Sequence, residues 1–410
     1  MALNYIWIVF FLTAFAIALF QLVVNGNTDI FRKLVEATFD SSKTGFELAI
    51  GLTGAMTLWL GIMKIGEKAG VVKILTFLFA PFFKRLFPEI PSDHPAITPI
   101  FMKFTANILG LDNAGTPLGI KAMKELQSLN PNPEVASNAQ IMFAVLNTTG
   151  LTLIPITIMA YRIQKGAADP TDIFIPILLS TSVTALSGML IVAIIQRIDI
   201  FNFIFLAYMA AFLGFLACTI TYFYNLPQEQ IRIVSSVVSN VLLFSIIIFF
   251  ILLAIWRNVN VYESFIEGAK EGFDVAVRII PYLVGILVAI AVFRTSGALD
   301  MIVKGLEMIF EYFQVNGEFT FALPVAFLKP LSGSGAVGMM NSIMDTYGAD
   351  SFMSKMACVF QGTTDTTLYI LAIYFGSINV RQTRYAATAG LLASFIGLTA
   401  AVFITYIFFY

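Results

Sequence analysis

Two carboxylates stand where an apolar chain tolerates them least. Asp112 lies in the interruption Asn107-Ile108-Leu109-Gly110-Leu111-Asp112-Asn113-Ala114-Gly115-Thr116-Pro117-Leu118-Gly119, and Asp365 lies in Gln361-Gly362-Thr363-Thr364-Asp365-Thr366-Thr367. A charge at the centre of a bilayer costs roughly 2.5–3.5 kcal/mol on insertion scales, so an acid there has a partner or a task. The tasks open to it are binding a cation, carrying a proton, or touching the substrate. The structural alternatives are a helix cap for Asp112 and a salt bridge to Lys329 or Lys103 for Asp365.

Neutral groups surround both acids. Asn147, Thr148, Thr149, Gln361, Thr363, Thr364 and Thr366 offer donors and acceptors that suit a polar organic solute or a dehydrated sodium ion. Asn107 opens the first interruption. Asn113, Thr116, Ser332 and Ser334 stand where helices restart, and there they can cap the new helix while its free amides face an anion, an interaction worth about 0.3–2 kcal/mol. Hydrogen bonding between helices of the bundle is the competing use of the same residues. Lys329 is a cation beside the second interruption, and the first half has Gly110 at the aligned position. His94 has no second histidine or cysteine near it, so neither a metal site nor a catalytic residue is assigned, and an enzyme is not expected.

These residues must be held by broken backbone. An apolar run, a glycine and proline break, small polar residues and a new helix make a re-entrant hairpin at about 95–127, and the same grammar recurs at about 319–345. Thr116-Pro117 is a helix start, because proline fits the first turn, where no amide is needed. Asn147-Thr148-Thr149-Gly150 with Pro155 interrupts a span at 139–161, and Gln361–Thr367 interrupts one at 352–375. Irregular backbone at membrane depth survives only where protein or a watery cavity surrounds it, and in transporters that is where cargo binds.

The halves match each other in register. A shift of 219 positions carries Leu118-Gly119 onto Val337-Gly338 and Asn113 onto Ser332. A shift of 227 carries Gly45-Phe46 onto Gly272-Phe273 and Gly70 onto Gly297, and one of 215 carries Thr148, Thr149, Thr152 and Leu153 onto Thr363, Thr364, Thr367 and Leu368. The chain reads as a duplication: residues 1–196 and 227–410, joined by a linking span within 197–226.

Composition sets the solvent. The 410 residues are 58% apolar and 12% charged, with mean hydropathy +0.86, against about 25% charged in a soluble protein. Net charge −1 argues against a nucleic-acid partner, and Cys218 and Cys358 make no disulfide framework.

At about 20 residues per crossing, spans fall at Leu3 to Val24 (an anchor helix, lacking the marks of a signal peptide), Phe46 to Met63, Ile173 to Ile195, Ile200 to Tyr224, Ile233 to Trp256, Val275 to Phe293 and Tyr385 to Tyr410. The two broken spans bring the total to about nine full spans. Asn25–Lys43 and Asn258–Glu271 read as polar connectors, and Val71 to Phe87 and Leu299 to Phe313 as interfacial helices. Four crossings per half plus the link is an odd number, which predicts an inverted repeat in an all-α polytopic membrane protein.

The motifs that carry this grammar resemble the nucleoside-recognition or Gate family, specifically spore maturation proteins A and B joined in one chain. In the first half the match is Asn107-x-x-Gly110-Leu111-Asp112-Asn113-Ala114-x-Thr116-Pro117-Leu118-Gly119-x-Lys121-Ala122-Met123. In the second it is Lys329-Pro330-Leu331-Ser332-Gly333-Ser334-Gly335-Ala336 and Gln361-Gly362-Thr363-Thr364-Asp365-Thr366-Thr367-x-Tyr369. A looser similarity extends to concentrative nucleoside transporters and the membrane part of ferrous iron transporter B. The resemblance implies paired hairpins, broken helices and a bacterial cytoplasmic (inner) membrane.

The expectation is a secondary transporter of a small polar solute, nucleoside-like or a small organic anion or ion, alternating access around a midplane site between the hairpin tips. The alternative is a non-transporting scaffold or channel-like component of a larger complex. No cofactor is expected beyond a coupling sodium ion or proton. The expected partners are the bilayer and the solute, with a homo-oligomer left open.

Overall fold

Two helices longer than a bilayer is thick form the spine of the molecule. One is Ile30–Ala69, 40 residues, and the other is Val261–Thr295, 35 residues. At 1.5 Å per residue the first is about 60 Å long, twice the hydrocarbon thickness of a membrane. Both absorb stretches that read as connectors in the sequence, since most of Asn25–Lys43 and of Asn258–Glu271 is helix. Charge does not break a helix that runs beyond the bilayer. Here it supports the helix through Arg32–Glu36 at 2.7 Å along one spine helix, and through Lys64–Glu271 at 3.4 Å between the two.

Glycine lets the spine helices touch. Gly45 faces Val284, Gly61 faces Phe265, Gly268 faces Leu60 and Gly272 faces Met56 and Thr57. Numbers rise on one helix as they fall on the other, so the two run antiparallel. A Cβ at Gly268 would sit 2.3 Å from the Leu60 carbonyl oxygen, and one at Gly272 would sit 2.7 Å from that of Met56. Backbones approach that closely only along a seam of small residues.

The computed structural model describes residues 2–91, 94–108, 112–152, 154–299 and 317–410, together with Met301, Gly305 and Met308. Most of the expected interfacial helix Leu299 to Phe313 lies outside the described residues. The remaining elements come in one order twice. An apolar helix (Ala2–Asn25, then Gln228–Trp256) precedes each spine helix. After the spine come a helical pair (Ile97–Ile108 with Asp112–Ser128, then Gly317–Leu328 with Gly333–Tyr347) and a second pair (Asn138–Thr149 with Ile156–Gln164, then Phe352–Thr363 with Thr367–Gly376). A long helix closes each series, Phe174–Ile195 and Ala386–Phe409, and Phe203–Tyr224 stands between the two series. Val71–Leu86 follows the first spine helix and carries Pro81 inside it.

Six of the described helices are long and apolar enough to cross a membrane, and shorter apolar helices accompany them. Their outer faces stay apolar: Val23, Phe244, Leu252, Trp256 and Phe403 are all more than half exposed. So much exposed apolar surface is stable only against lipid. The chain is an all-helical, multi-pass membrane protein.

Candidate functional site

The two broken spans meet at their breaks. The first helix of one ends at Thr149, turns at Gly150 with φ +39°, and resumes at Ile156 after Pro155. The other ends at Thr363 and resumes at Thr367. Thr148, at the end of one helix, offers its carbonyl to the other break, accepting the Asp365 backbone N–H at 2.9 Å and the Thr364 hydroxyl at 3.1 Å. A Cβ on Gly150 would lie 3.4 Å from that of Asp365.

The closing helices of the two series satisfy what the breaks leave over. Thr181 donates to the Gly150 carbonyl at 2.7 Å, and Ser394 Oγ lies 2.8 Å from Thr364 Oγ1 and 3.3 Å from Thr367 Oγ1. Backbone groups freed inside a membrane are tolerated because such partners are at hand.

Each helical pair leans on a broken span. In the second half Ser332 Oγ accepts from Gly335 N–H at 3.0 Å, the expected cap, with Ser334 Oγ 3.5 Å away. The Pro330 carbonyl accepts Leu368 N–H at 3.1 Å, so the turn seats on the restart of the broken span. Gly333 is required there, because a Cβ would come within 2.7 Å of Thr366 Oγ1. In the first half Lys103 donates to Asn107 Oδ1 at 2.5 Å, Asn107 to Asn147 Oδ1 at 2.9 Å, and Asn147 to the Phe143 carbonyl at 2.7 Å. The side chains of Asp112, Asn113 and Thr116 lie outside the described residues. The backbone there starts the helix Asp112–Ser128.

A cavity of about 170 Å³ opens where the breaks meet, and Lys329, Gln361, Thr364 and Asp365 line it with Gly150 and Thr152. Four of the residues singled out in the sequence thus share one wall. Gln361 is 7% exposed, and its Oε1 has no hydrogen-bond partner among the described residues. Asp365 is half-buried, its Oδ1 accepting from Thr366 N–H at 2.7 Å. Among the described residues no ion pair joins it to Lys329 or Lys103, so the salt-bridge alternative does not hold in this conformation.

The other candidates divide differently. Thr149 and Thr363 are buried and donate to their own helices, to Leu146 O at 3.1 Å and Val359 O at 2.6 Å. Asn107 borders a second, apolar cavity, also about 170 Å³, with Phe79, Phe82, Phe104 and Phe212 in its wall.

Sequence reasoning missed a buried ion cluster. Arg162, with no exposed surface, donates to Ala349 O at 2.8 Å and to Asp169 O at 3.0 Å. Its Nη2 lies 3.0 Å from Asp172 Oδ1 and 3.2 Å from Asp350 Oδ1, while Lys355 Nζ lies 2.7 Å from Asp172 Oδ2 and 4.5 Å over the Phe409 ring. Burial pushes the Asp172 carboxyl up, against the pull of Arg162 and Lys355. The cluster ties loop 165–173 to loop 348–351. Loops 129–137 and 377–385 are tied by backbone instead, through Ala136 N–H to Gln382 O at 2.9 Å and Gln382 N–H to Glu134 O at 3.0 Å. Equal spacing of unlike charges along the chain would have signalled such a cluster. Its members come from three separate segments, so no such signal exists.

The family described as nucleoside recognition, Gate, matches the chain twice, at residues 49–164 and 276–381. Spore maturation protein B of Bacillus subtilis (strain 168) is 46% identical over 153 residues, which is 37% of this chain and 84% of that protein. Spore maturation protein A of the same organism is 42% identical over 156 residues, 38% of this chain and 80% of that protein. The two are similar to separate halves. No solved structure matches. Both matched segments hold a helical pair and a broken span, and together they cover more than half of the residues: the chain belongs to the Gate family of nucleoside-recognition proteins.

Proposed function

We propose that the chain is a secondary transporter of a small polar solute, working by alternating access around the cavity between the two breaks. One observation carries this reading. A buried amide oxygen without a hydrogen-bond partner among the described residues, a carboxylate and a lysine converge on a cavity where two interrupted helices meet. Ligand sites are such concave spaces with a few convergent polar groups. Asp365 is the group that would carry the coupling sodium ion or proton, and the bacterial cytoplasmic membrane is the proposed location.

The mechanism rests on an inverted repeat, residues 1–196 against 227–410 with the link between them. The spine supports it. The shift that carries Gly45 onto Gly272 also carries Thr57 onto Val284, so Gly45–Val284 and Gly272–Thr57 are one contact occurring twice. Such an exchange follows from a two-fold axis between antiparallel helices, and that axis lies in the membrane plane when the helices stand across it. Under the shift of 215 Gly150 exchanges with Asp365, and these two residues face each other, as residues on the axis do. Each helical pair then serves as a re-entrant hairpin. The halves rock about the breaks, and the loop junctions at the two ends open in turn.

Gradient-driven uptake tests the reading. Purified chain in proteoliposomes should accumulate a solute from a panel of nucleosides, small carboxylates and amino acids when a sodium or proton gradient is imposed. Asp365→Asn keeps the shape of the side chain and both backbone bonds of the break but removes the charge, so the folded variant should lose gradient dependence. Wild-type uptake by that variant would refute the role of Asp365. Solute binding without uptake would leave the scaffold reading standing.

A further inference from the structure

We infer that the second, apolar cavity holds an acyl chain of an anionic phospholipid whose phosphate lies at Lys84 and Arg85. This site is separate from the cavity between the breaks, and it does not depend on transport.

The wall calls for an apolar occupant. Phe79, Phe82, Phe83 and Leu86 of the helix Val71–Leu86 form one side, and Met209 and Phe212 of the linking helix Phe203–Tyr224 form another. The two polar side chains in the wall are engaged elsewhere. Asn107 accepts from Lys103 and donates to Asn147, and the Tyr208 hydroxyl donates to the Leu78 carbonyl at 2.6 Å. A polar solute entering this space would lose its water without a matching group in return.

Size selects part of a lipid. About 170 Å³ is close to the roughly 150 Å³ that holds one benzene molecule, so the space takes about six to eight carbon atoms. That is a stretch of one acyl chain, with the headgroup left outside. The two helices that close the cavity also face lipid, since Phe77 on one and Phe203 on the other are more than four-fifths exposed. A chain passing between them never leaves apolar surroundings. Leu146 and Leu151, on either side of the break at Gly150, close the inner end, so a bound tail packs behind that break.

Charge names the headgroup. Val71–Leu86 carries Lys73, Lys84 and Arg85 and no acid. Lys84 and Arg85 are exposed, and they stand in the last turn between the wall residues Phe83 and Leu86. Glu89, beyond the helix end, accepts from Asn138 at 2.8 Å. Each cation beside the membrane surface strengthens the hold on an anionic lipid by about fivefold.

Lipid binding to the purified full chain in detergent decides the matter. Phosphatidylglycerol, phosphatidylcholine with the same two chains, and oleate are titrated, and bound lipid is counted by native mass spectrometry. The expected result is one phosphatidylglycerol held roughly thirtyfold more tightly than phosphatidylcholine, the product of two cations. Lys84→Gln/Arg85→Gln should bring the two phospholipids to about the same affinity. Ala185→Phe, which fills the space from the closing helix Phe174–Ile195, should weaken both by about tenfold or more. The double glutamine variant alters exposed groups alone and carries the test if Ala185→Phe fails to fold. Equal affinity of the two phospholipids for the wild type overturns the inference, as does oleate binding as tightly as phosphatidylglycerol. A folded Ala185→Phe variant that holds both phospholipids as the wild type does overturns it as well.

Discussion

Replacing Asp172 by asparagine tests the buried ion cluster directly. The carboxylate is 3% exposed and takes Arg162 on one oxygen at 3.0 Å and Lys355 on the other at 2.7 Å. Asparagine fills the same space with no charge. Arg162 and Lys355, almost without exposed surface, are then left with Asp350, whose side chain is 41% exposed, and with Asp169, which also lies within reach of the Arg162 charge. Removing one partner from a buried pair costs about 3–5 kcal/mol, because the charge left behind is neither solvated nor matched. Lys355→Met should cost less, since Arg162 still neutralises Asp172. The double variant Asp172→Asn/Lys355→Met should be more stable than Asp172→Asn alone, because it removes one of the stranded cations. Unfolding in mixed micelles of increasing denaturing detergent, followed by helical circular dichroism, gives the three differences. Asp172→Asn within about 1 kcal/mol of wild type, or a double variant equal to the sum of the singles, would refute the account.

Three further outcomes follow from the packing. Gly268→Ala should lower the melting temperature, because its Cβ meets the Leu60 carbonyl at 2.3 Å; overpacking of about 1–3 kcal/mol exceeds the roughly 1 kcal/mol that alanine adds as a helix former. Gly54→Ala on the same spine, with nothing within 4 Å, should be neutral or stabilising, and an equal loss at both sites in a thermal melt would contradict the seam. Asn147→Ala strips Asn107 of its acceptor and should cost about 1–3 kcal/mol, read as a shifted denaturation midpoint; no shift would mean that the bond does not hold the first helical pair. Ser332→Ala removes the cap of Gly333–Tyr347 and should cost about 0.5–2 kcal/mol, with Ser332→Thr restoring most of it; equal effects of the two would deny the cap.

The breaks were legible in the sequence because an apolar bilayer makes every glycine, proline and threonine cluster conspicuous. Helices stop at Thr149 and Thr363, inside the stretches read as interruptions, and Lys329, Gln361, Thr364 and Asp365 line one cavity beside the breaks. Polarity misled where it was taken for loop: the charged starts of both spine helices are helical, since outside the bilayer a charge and a helix are compatible. Thr149 and Thr363 each donate to a carbonyl of their own helix, a choice set by rotamer and invisible in spacing. The cluster of Arg162, Asp172 and Lys355 stayed hidden for another reason. Arg162 and Lys355 stand almost two hundred positions apart, and only the fold makes them neighbours of one acid.

The glycine seam also bears on how the molecule holds together. Its contacts join Gly45, Met56, Leu60 and Gly61 of the first half to Val284, Gly272, Gly268 and Phe265 of the second, and the two spore maturation proteins are similar to separate halves. Cut within 197–226, the same surface would become an interface between two chains, and its occupancy would depend on how much of each chain the membrane holds. In one chain the link acts as a tether: it fixes the ratio of halves at one to one and sets a high local concentration of each at the face of the other. Tethering of this kind can strengthen an association by 10²–10⁴ without any new contact. A seam of close glycine contacts thereby stays occupied however little of the chain the membrane holds.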